Sequence, residues 1–381
     1  MLRRFADASG PLALLVLLGA GCGDESRAGE PPAPSKTESV AAGLSPSAPS
    51  VAAPSASAAP SLPPLPKRDE YPKTLAEQRA HMLERMRVVL ELSPDRIAAV
   101  NAVLERTTVV GQGNPEISEY ALTRAQCEER RAGAIEPDAP VCGARLMAPL
   151  YDPRAGEKPE DAKVCIDRFE FPNVPCDYPV TWASAKEAQE LCLAVGKRLC
   201  DAHEWEGACA GALLSPEKDY VFGKPRKQAK AEHNKSREIV WAYGPDKDHS
   251  KCATASQKSH KCTASGGFRR CGSNTYPAGS FLSCKSPLGV YDQHGNAAEH
   301  MNLPMKPEEF ARGGNVGATE RKVSCFTFQK YAVHEDDCRW RAPDWHVTKV
   351  MNPKSHQNYH LGFRCCKDVP AAGPAGKDPA P

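Results

Sequence analysis

The residues best placed to do chemistry are two carboxylates on either side of a tight turn. Residues 289–300 read G-V-Y-D-Q-H-G-N-A-A-E-H, with Asp292 and Glu299 flanking a Gly-Asn pair. Calcium takes several oxygen ligands at about 2.3–2.6 Å, some from carboxylates and some from backbone carbonyls that a tight turn exposes. Asp292, Glu299 and the carbonyls between them offer that chemistry. The plainer reading of the same residues is a turn with two solvated acids.

Sulfur is the second resource. The chain carries 16 cysteines, none at the CxxC spacing of a zinc site. So many cysteines behind an export-type N-terminus predict disulfides. Sequence proximity suggests Cys127 with Cys142, since closing a loop of about 15 residues is worth roughly 3 kcal/mol in the chain-entropy model. It also suggests local staples at Cys165/Cys176 and within the group Cys252, Cys262, Cys271 and Cys284. Cys365 and Cys366 are expected to face opposite ways. Setting Cys22 aside leaves an odd number, so at least one thiol is expected to be free or bonded to another chain. His203, His294 and His300 are scattered and read as surface or hydrogen-bonded residues rather than ligands. No G-x-S-x-G or phosphate-loop motif occurs.

The elements that must position these residues are few and short. Thr74-x-x-Glu77 is a capping box, followed by Leu75, Met82, Leu83, Met86, Val89 and Leu90 at helical spacing. Ser93-Pro94 stops that helix and starts a second, with Ile97, Val100, Val103 and Leu104 inward. Residues 71–162 thus read as a helical hairpin followed by an irregular, stapled stretch. Ser184-x-x-Glu187 and Asp201-x-x-Glu204 cap two more helices, carrying Cys192 and Cys209; Gly196 ends the first. Beyond Gly211 helical periodicity is weak. The domain over 163–368 is expected to be α+β and loop-rich.

Both ends have other roles. Arg3 and Arg4, then Pro11–Leu18, form a signal segment too short to span a bilayer, which needs about 20 apolar residues. Gly19-Ala20-Gly21-Cys22 resembles a bacterial lipoprotein cleavage site, which implies a signal peptide over 1–22 and a lipidated Cys22 that anchors the chain in the cell envelope, outside the cytoplasm. Residues 23–70 are rich in Pro, Ala and Ser and read as a semi-extended tether; 369–381 read as a disordered tail. Lys+Arg 49 against Asp+Glu 47 leaves a net charge of +2, without the basic excess that nucleic acid or an anionic membrane surface would attract.

Four segments carry a resemblance: PVTWASAKEAQELC (179–192), GKRLCDAHEWEGACAG (196–211), GVYDQHGNAAEH (289–300) and RGGNVG…LGFRC (312–317 and 361–365). In that order they resemble the formylglycine-generating enzymes, also called sulfatase-modifying factors, over roughly 163–368. The resemblance implies a low-regularity fold related to C-type lectins. It implies calcium held by Asp292, Gly295, Ala297 and Glu299, and a second calcium near Asn234. It also implies disulfides Cys192–Cys365 and Cys209–Cys338, which close loops long enough for gains on the order of 4–5 kcal/mol each. Oxidases of the family use two cysteines, five positions apart after a GG turn, to bind Cu(I). They convert a sulfatase cysteine to formylglycine. After Gly313-Gly314 those two positions are Ala318 and Val323 here, with Cys325 two residues further on. The iron-binding His-x-x-x-His-x-Glu pattern of the related sulfoxide synthases is absent; the hairpin holds only His81. The expectation is therefore a membrane-anchored module that binds a peptide, glycan or protein. The alternative is a divergent copper or other metal-dependent oxidase using Cys325 as a free thiol.

Overall fold

The computed structural model describes residues 72 and 74–370, except 135, 260–267, 313–316, 323, 331, 333, 345 and 346. Cys22, the signal segment, the tether, Cys262, the Gly313-Gly314 turn, Val323 and the tail beyond 370 lie outside the described residues.

Helices α1 (Leu75–Val89) and α2 (Pro94–Glu105) form the expected hairpin. The Thr74/Glu77 capping box closes α1, and Ser93 with Pro94 starts α2. Their inner faces bury Met82, Met86, Val100 and Leu104 against Leu191, Leu199 and Phe363 of the main domain in one continuous core. Polar contacts fasten the same interface. Buried Asp177 lies 3.4 Å from Arg85 of α1 and 2.8 Å from Arg124, the first residue of α3 (Arg124–Arg130).

Strands β1 (Met147–Leu150), β2 (Val164–Asp167), β3 (Arg198–Leu199) and β7 (Cys365–Asp368) form one sheet in the order β1-β2-β7-β3. Strand β1 pairs antiparallel with β2 across residue 163, Met147 opposite Asp167. Helices α4 (Ala185–Ala194) and α5 (Ala202–Ala210) flank β3, each with its capping box. A second sheet, β5-β4-β6, is built from β4 (Ala298–Leu303), β5 (Ala318–Lys322) and β6 (Leu361–Phe363). Strand β4 runs antiparallel to β5 and parallel to β6. Two more helices, α6 (Pro216–Asp219) and α7 (Arg226–Ser236), lie where little helix was expected. Helix α7 has no side-chain N-cap, and its buried face is Ala229, Lys230 and His233, so no apolar stripe announces it.

Among the described residues, disulfides join Cys127–Cys176, Cys142–Cys165, Cys192–Cys365, Cys200–Cys366, Cys209–Cys338 and Cys252–Cys284, and Cys271 and Cys325 are disulfide-bonded as well. The expected Cys127–Cys142 and Cys165–Cys176 staples are corrected. The two pairs exchange partners, because pairing of β1 with β2 brings the 142 and 165 segments together. Cys365 and Cys366 serve different bridges: successive strand residues point to opposite faces, and each joins a different core cluster. No cysteine among the described residues is free.

Candidate functional site

The second sheet brings the two chemical regions side by side. The acidic turn leads directly into β4, and β5 lies against it with Lys322 opposite Glu299. The turn is tightly built. Gly295 sits at φ +79°, and a Cβ there would stand 2.5 Å from the Ala253 carbonyl oxygen. Asn296 accepts from the Tyr276 amide at 2.8 Å and donates to Glu170 at 2.7 Å. The Gly295 amide donates to Ser324 Oγ at 3.0 Å, and the Phe326 amide donates to the Asn296 carbonyl at 2.8 Å. Cys325 is therefore pinned between two residues tied to the turn.

Three buried carboxylates gather here. Glu170 also accepts from the Ala297 amide at 2.8 Å. Asp292 Oδ2 accepts from the Gly279 amide at 2.5 Å, while its Oδ1 is buried without a partner. Glu299 is held by three donors: Arg364 donates to its two oxygens at 2.5 and 2.7 Å, and Trp205 Nε1 donates at 2.8 Å. Burial, then the neighbouring Asp292 and Glu299 charges, push the Glu170 carboxyl well up. Burial raises Asp292 to about 6 against the pull of the Gly279 amide and Arg364. Acid exceeds its counter-charge in this cluster. An orphaned carboxylate oxygen inside it fits a hard cation at Asp292. The Gly295 and Ala297 carbonyls would complete the set, and Glu299 would join with whatever lone-pair capacity Arg364 and Trp205 leave. Asn234 does not fit the second calcium. Its amide donates to and accepts from the Arg341 backbone at 2.8 and 2.9 Å, and its pocket neighbours include Lys227, Lys230 and Arg341.

The strand where the copper cysteine would stand is rebuilt with charge. Every residue of β5 after Ala318 is buried, and Ala318, Glu320 and Lys322 share one face by strand alternation. Lys322 donates to Glu206 at 2.9 Å and to the Trp340 carbonyl. Arg341 holds Glu206 through two hydrogen bonds of 3.0 Å. Glu320 meets Lys230 at 2.6 Å and accepts from the Ala342 amide at 2.8 Å. Burial alone would raise Glu206, but Arg341 and Lys322 hold it far below the carboxylate range. Burial lowers Lys322. Unlike the turn, this network gives each carboxylate a cation, and Trp205 joins the two: its Nε1 serves Glu299 while its ring lies 5.5 Å from the Lys322 ammonium.

Cys325 is fully buried and disulfide-bonded, which corrects the free thiol that the oxidase alternative needs. The three histidines are all buried, not at the surface. His203 pairs with Asp219 at 2.8 Å, and His300 Nε2 lies 3.1 Å from the Ala183 carbonyl. His294 Nε2 accepts from the Ala242 amide at 3.1 Å beside the Cys209–Cys338 bridge, and burial brings its pKa down to about 4. Sequence reasoning missed Glu170, Glu206, Glu320, Lys230 and Arg341. Glu206 and Arg364 do lie inside quoted segments, GKRLCDAHEWEGACAG and LGFRC, but residue type alone gave neither a role.

The family model of the sulfatase-modifying factor enzyme 1-like domain matches residues 117–369. Among solved structures, a crystal structure of CarF is similar at 14% identity and TM-score 0.31, covering 54% of this chain and 87% of CarF. A comparison with curated proteins finds no match.

Proposed function

The chain belongs to the sulfatase-modifying factor enzyme 1-like family through residues 117–369, and from that premise we propose that it is a non-catalytic member that binds a peptide partner outside the cytoplasm. One observation carries this reading: the strand face that includes Ala318 is filled by the Glu206–Lys322–Arg341 and Glu320–Lys230 ion pairs. Two thiolates are needed for a two-coordinate Cu(I) site. Ala318 supplies none, and Cys325 is committed to a disulfide. A family fold without its site does not carry the family's chemistry.

Calcium belongs to the proposal as a structural ion. Asp292, with the Gly295 and Ala297 carbonyls and Glu299, would hold it, and it would offset the acid surplus beneath the turn. The disulfide content matches an oxidising compartment, and no helix among the described residues is long and apolar enough to cross a membrane. Anchoring would fall to a lipid on Cys22. Labelling of the wild-type chain by a radiolabelled fatty acid, lost in Cys22→Ser, is the expected result.

The central test is chemical. Purified protein is offered stoichiometric Cu(I) and a cysteine peptide of sulfatase type. Neither metal uptake nor aldehyde formation is expected; one copper bound per chain with aldehyde produced would overturn the reading.

A further inference from the structure

We propose that the pocket between α7 and the 341–344 loop captures a carboxylate side chain of an acidic peptide. This names the ligand chemistry of the binding role above and rests on it. The pocket has a volume of about 210 Å³ and is lined by Lys227, Lys230 and Ala231 on one face of α7 and by Arg341, Pro343 and Asp344 opposite. Small-molecule sites usually span about 300–1,000 Å³, so this one suits a single side chain of a larger ligand. It opens beside the Ala318–Lys322 strand, because its wall residue Lys230 is the partner of Glu320.

The charges favour an anion. Lys227, Lys230 and Arg341 line the pocket against a single carboxylate, Asp344. Behind the wall, Glu320 and Glu206 are already shared among Lys230, Arg341 and Lys322. Arg226 adds a further cation at 3.3 Å from Asp344. Among the described residues, exposed Lys227 pairs with no carboxylate. Asp344 itself is loosely held, 3.4 Å from Lys230, whereas Glu320 lies 2.6 Å from the same ammonium. Charge-assisted N–H···O bonds normally run about 2.7–2.9 Å. Asp344 thus marks a carboxylate position that a ligand can share or take over. The walls decide the ligand class. Ala231, Ala342 and Pro343 present apolar surface, which suits the methylene stem of Asp or Glu and leaves the hydroxyls of a sulfated sugar unpartnered.

The test uses the full-length protein and a fluorescent, acetylated Asp/Glu-rich octapeptide, with its Asn/Gln counterpart and dextran sulfate as comparisons. The acidic peptide is expected to bind with an affinity that falls as salt rises, and the neutral one is not. Lys227→Glu should weaken binding about tenfold and Asp344→Asn should tighten it a few-fold. Lys235→Glu, on the same helix outside the pocket, should leave it unchanged. Equal binding of both peptides, equal effects of Lys227→Glu and Lys235→Glu, or preference for dextran sulfate would each overturn the proposal. Those outcomes leave the non-catalytic reading standing, since that reading fails only in the copper and aldehyde assay.

Discussion

The acidic turn and strand β5 are neighbours in one sheet, yet they handle buried charge in opposite ways. The turn keeps more acid than counter-charge: Glu170, Asp292 and Glu299 share Arg364, and one Asp292 oxygen is left without a partner. Strand β5 gives every carboxylate a cation, with Glu206 between Lys322 and Arg341 and Glu320 on Lys230. Burying an ion costs several kcal/mol unless it is paired. A buried carboxylate that has its cation therefore speaks for architecture, and one without a cation speaks for a bound cation. The same sheet holds both, which is why a family likeness across all of it cannot be read as one function.

The comparison breaks most forcefully at Arg364. Arg364→Met strands Glu299 among two other buried acids, so a loss of about 3–5 kcal/mol is expected. An unchanged urea midpoint would show that the turn is not charge-committed. On the other side, Glu206→Gln keeps the shape but leaves Lys322 and Arg341 facing a neutral amide, and about 2–3 kcal/mol should be lost at pH 7. The sign with pH follows from the depressed Glu206 carboxyl. Its stabilisation is fully present above the unfolded value of about 4.3 and fades as pH falls toward the lower folded value. Wild type should therefore lose stability below about pH 4 more steeply than Glu206→Gln. Parallel acid limbs in chemical unfolding would remove Glu206 from the network.

Calcium sharpens the contrast from the other direction. At millimolar calcium a site of extracellular strength adds about 1–2 kcal/mol. Chelation should lower the melting temperature of wild type, and calcium should restore it. Asp292→Asn should melt at one temperature with and without the ion. Glu206→Gln should keep the calcium response, because Glu206 bonds to Lys322 and Arg341 and to none of the proposed ligands. A chelator effect that survives Asp292→Asn would move the ion elsewhere.

How far these regions were legible depends on what holds each together. The capping boxes at Thr74, Ser184 and Asp201 are local signals, and the helices stand where they point. The turn was legible because Gly295 and Asn296 have a conformational duty visible in residue type. Glu206, Lys230 and Glu320 were not. Each is an ordinary surface-type residue until chain segments ninety or more positions apart in the sequence meet, and no local pattern announces that meeting. The disulfide misreading has the same origin: proximity in sequence suggested Cys127–Cys142, and strand pairing decided otherwise.

The smallest expected effect tests the vacant family position itself. Ala318 is partly exposed at the start of β5, opposite Leu303, so Ala318→Cys should shift stability by no more than about 0.5 kcal/mol. It returns one sulfur to the position that the oxidases use first. No Cu(I) uptake is expected, because a two-coordinate site needs a second thiolate. Cys325 cannot supply it while bonded and buried. Copper binding by this single variant would mean that Cys325 exchanges its bridge for the metal. The ion-paired face would then be a lightly covered oxidase site rather than a replaced one.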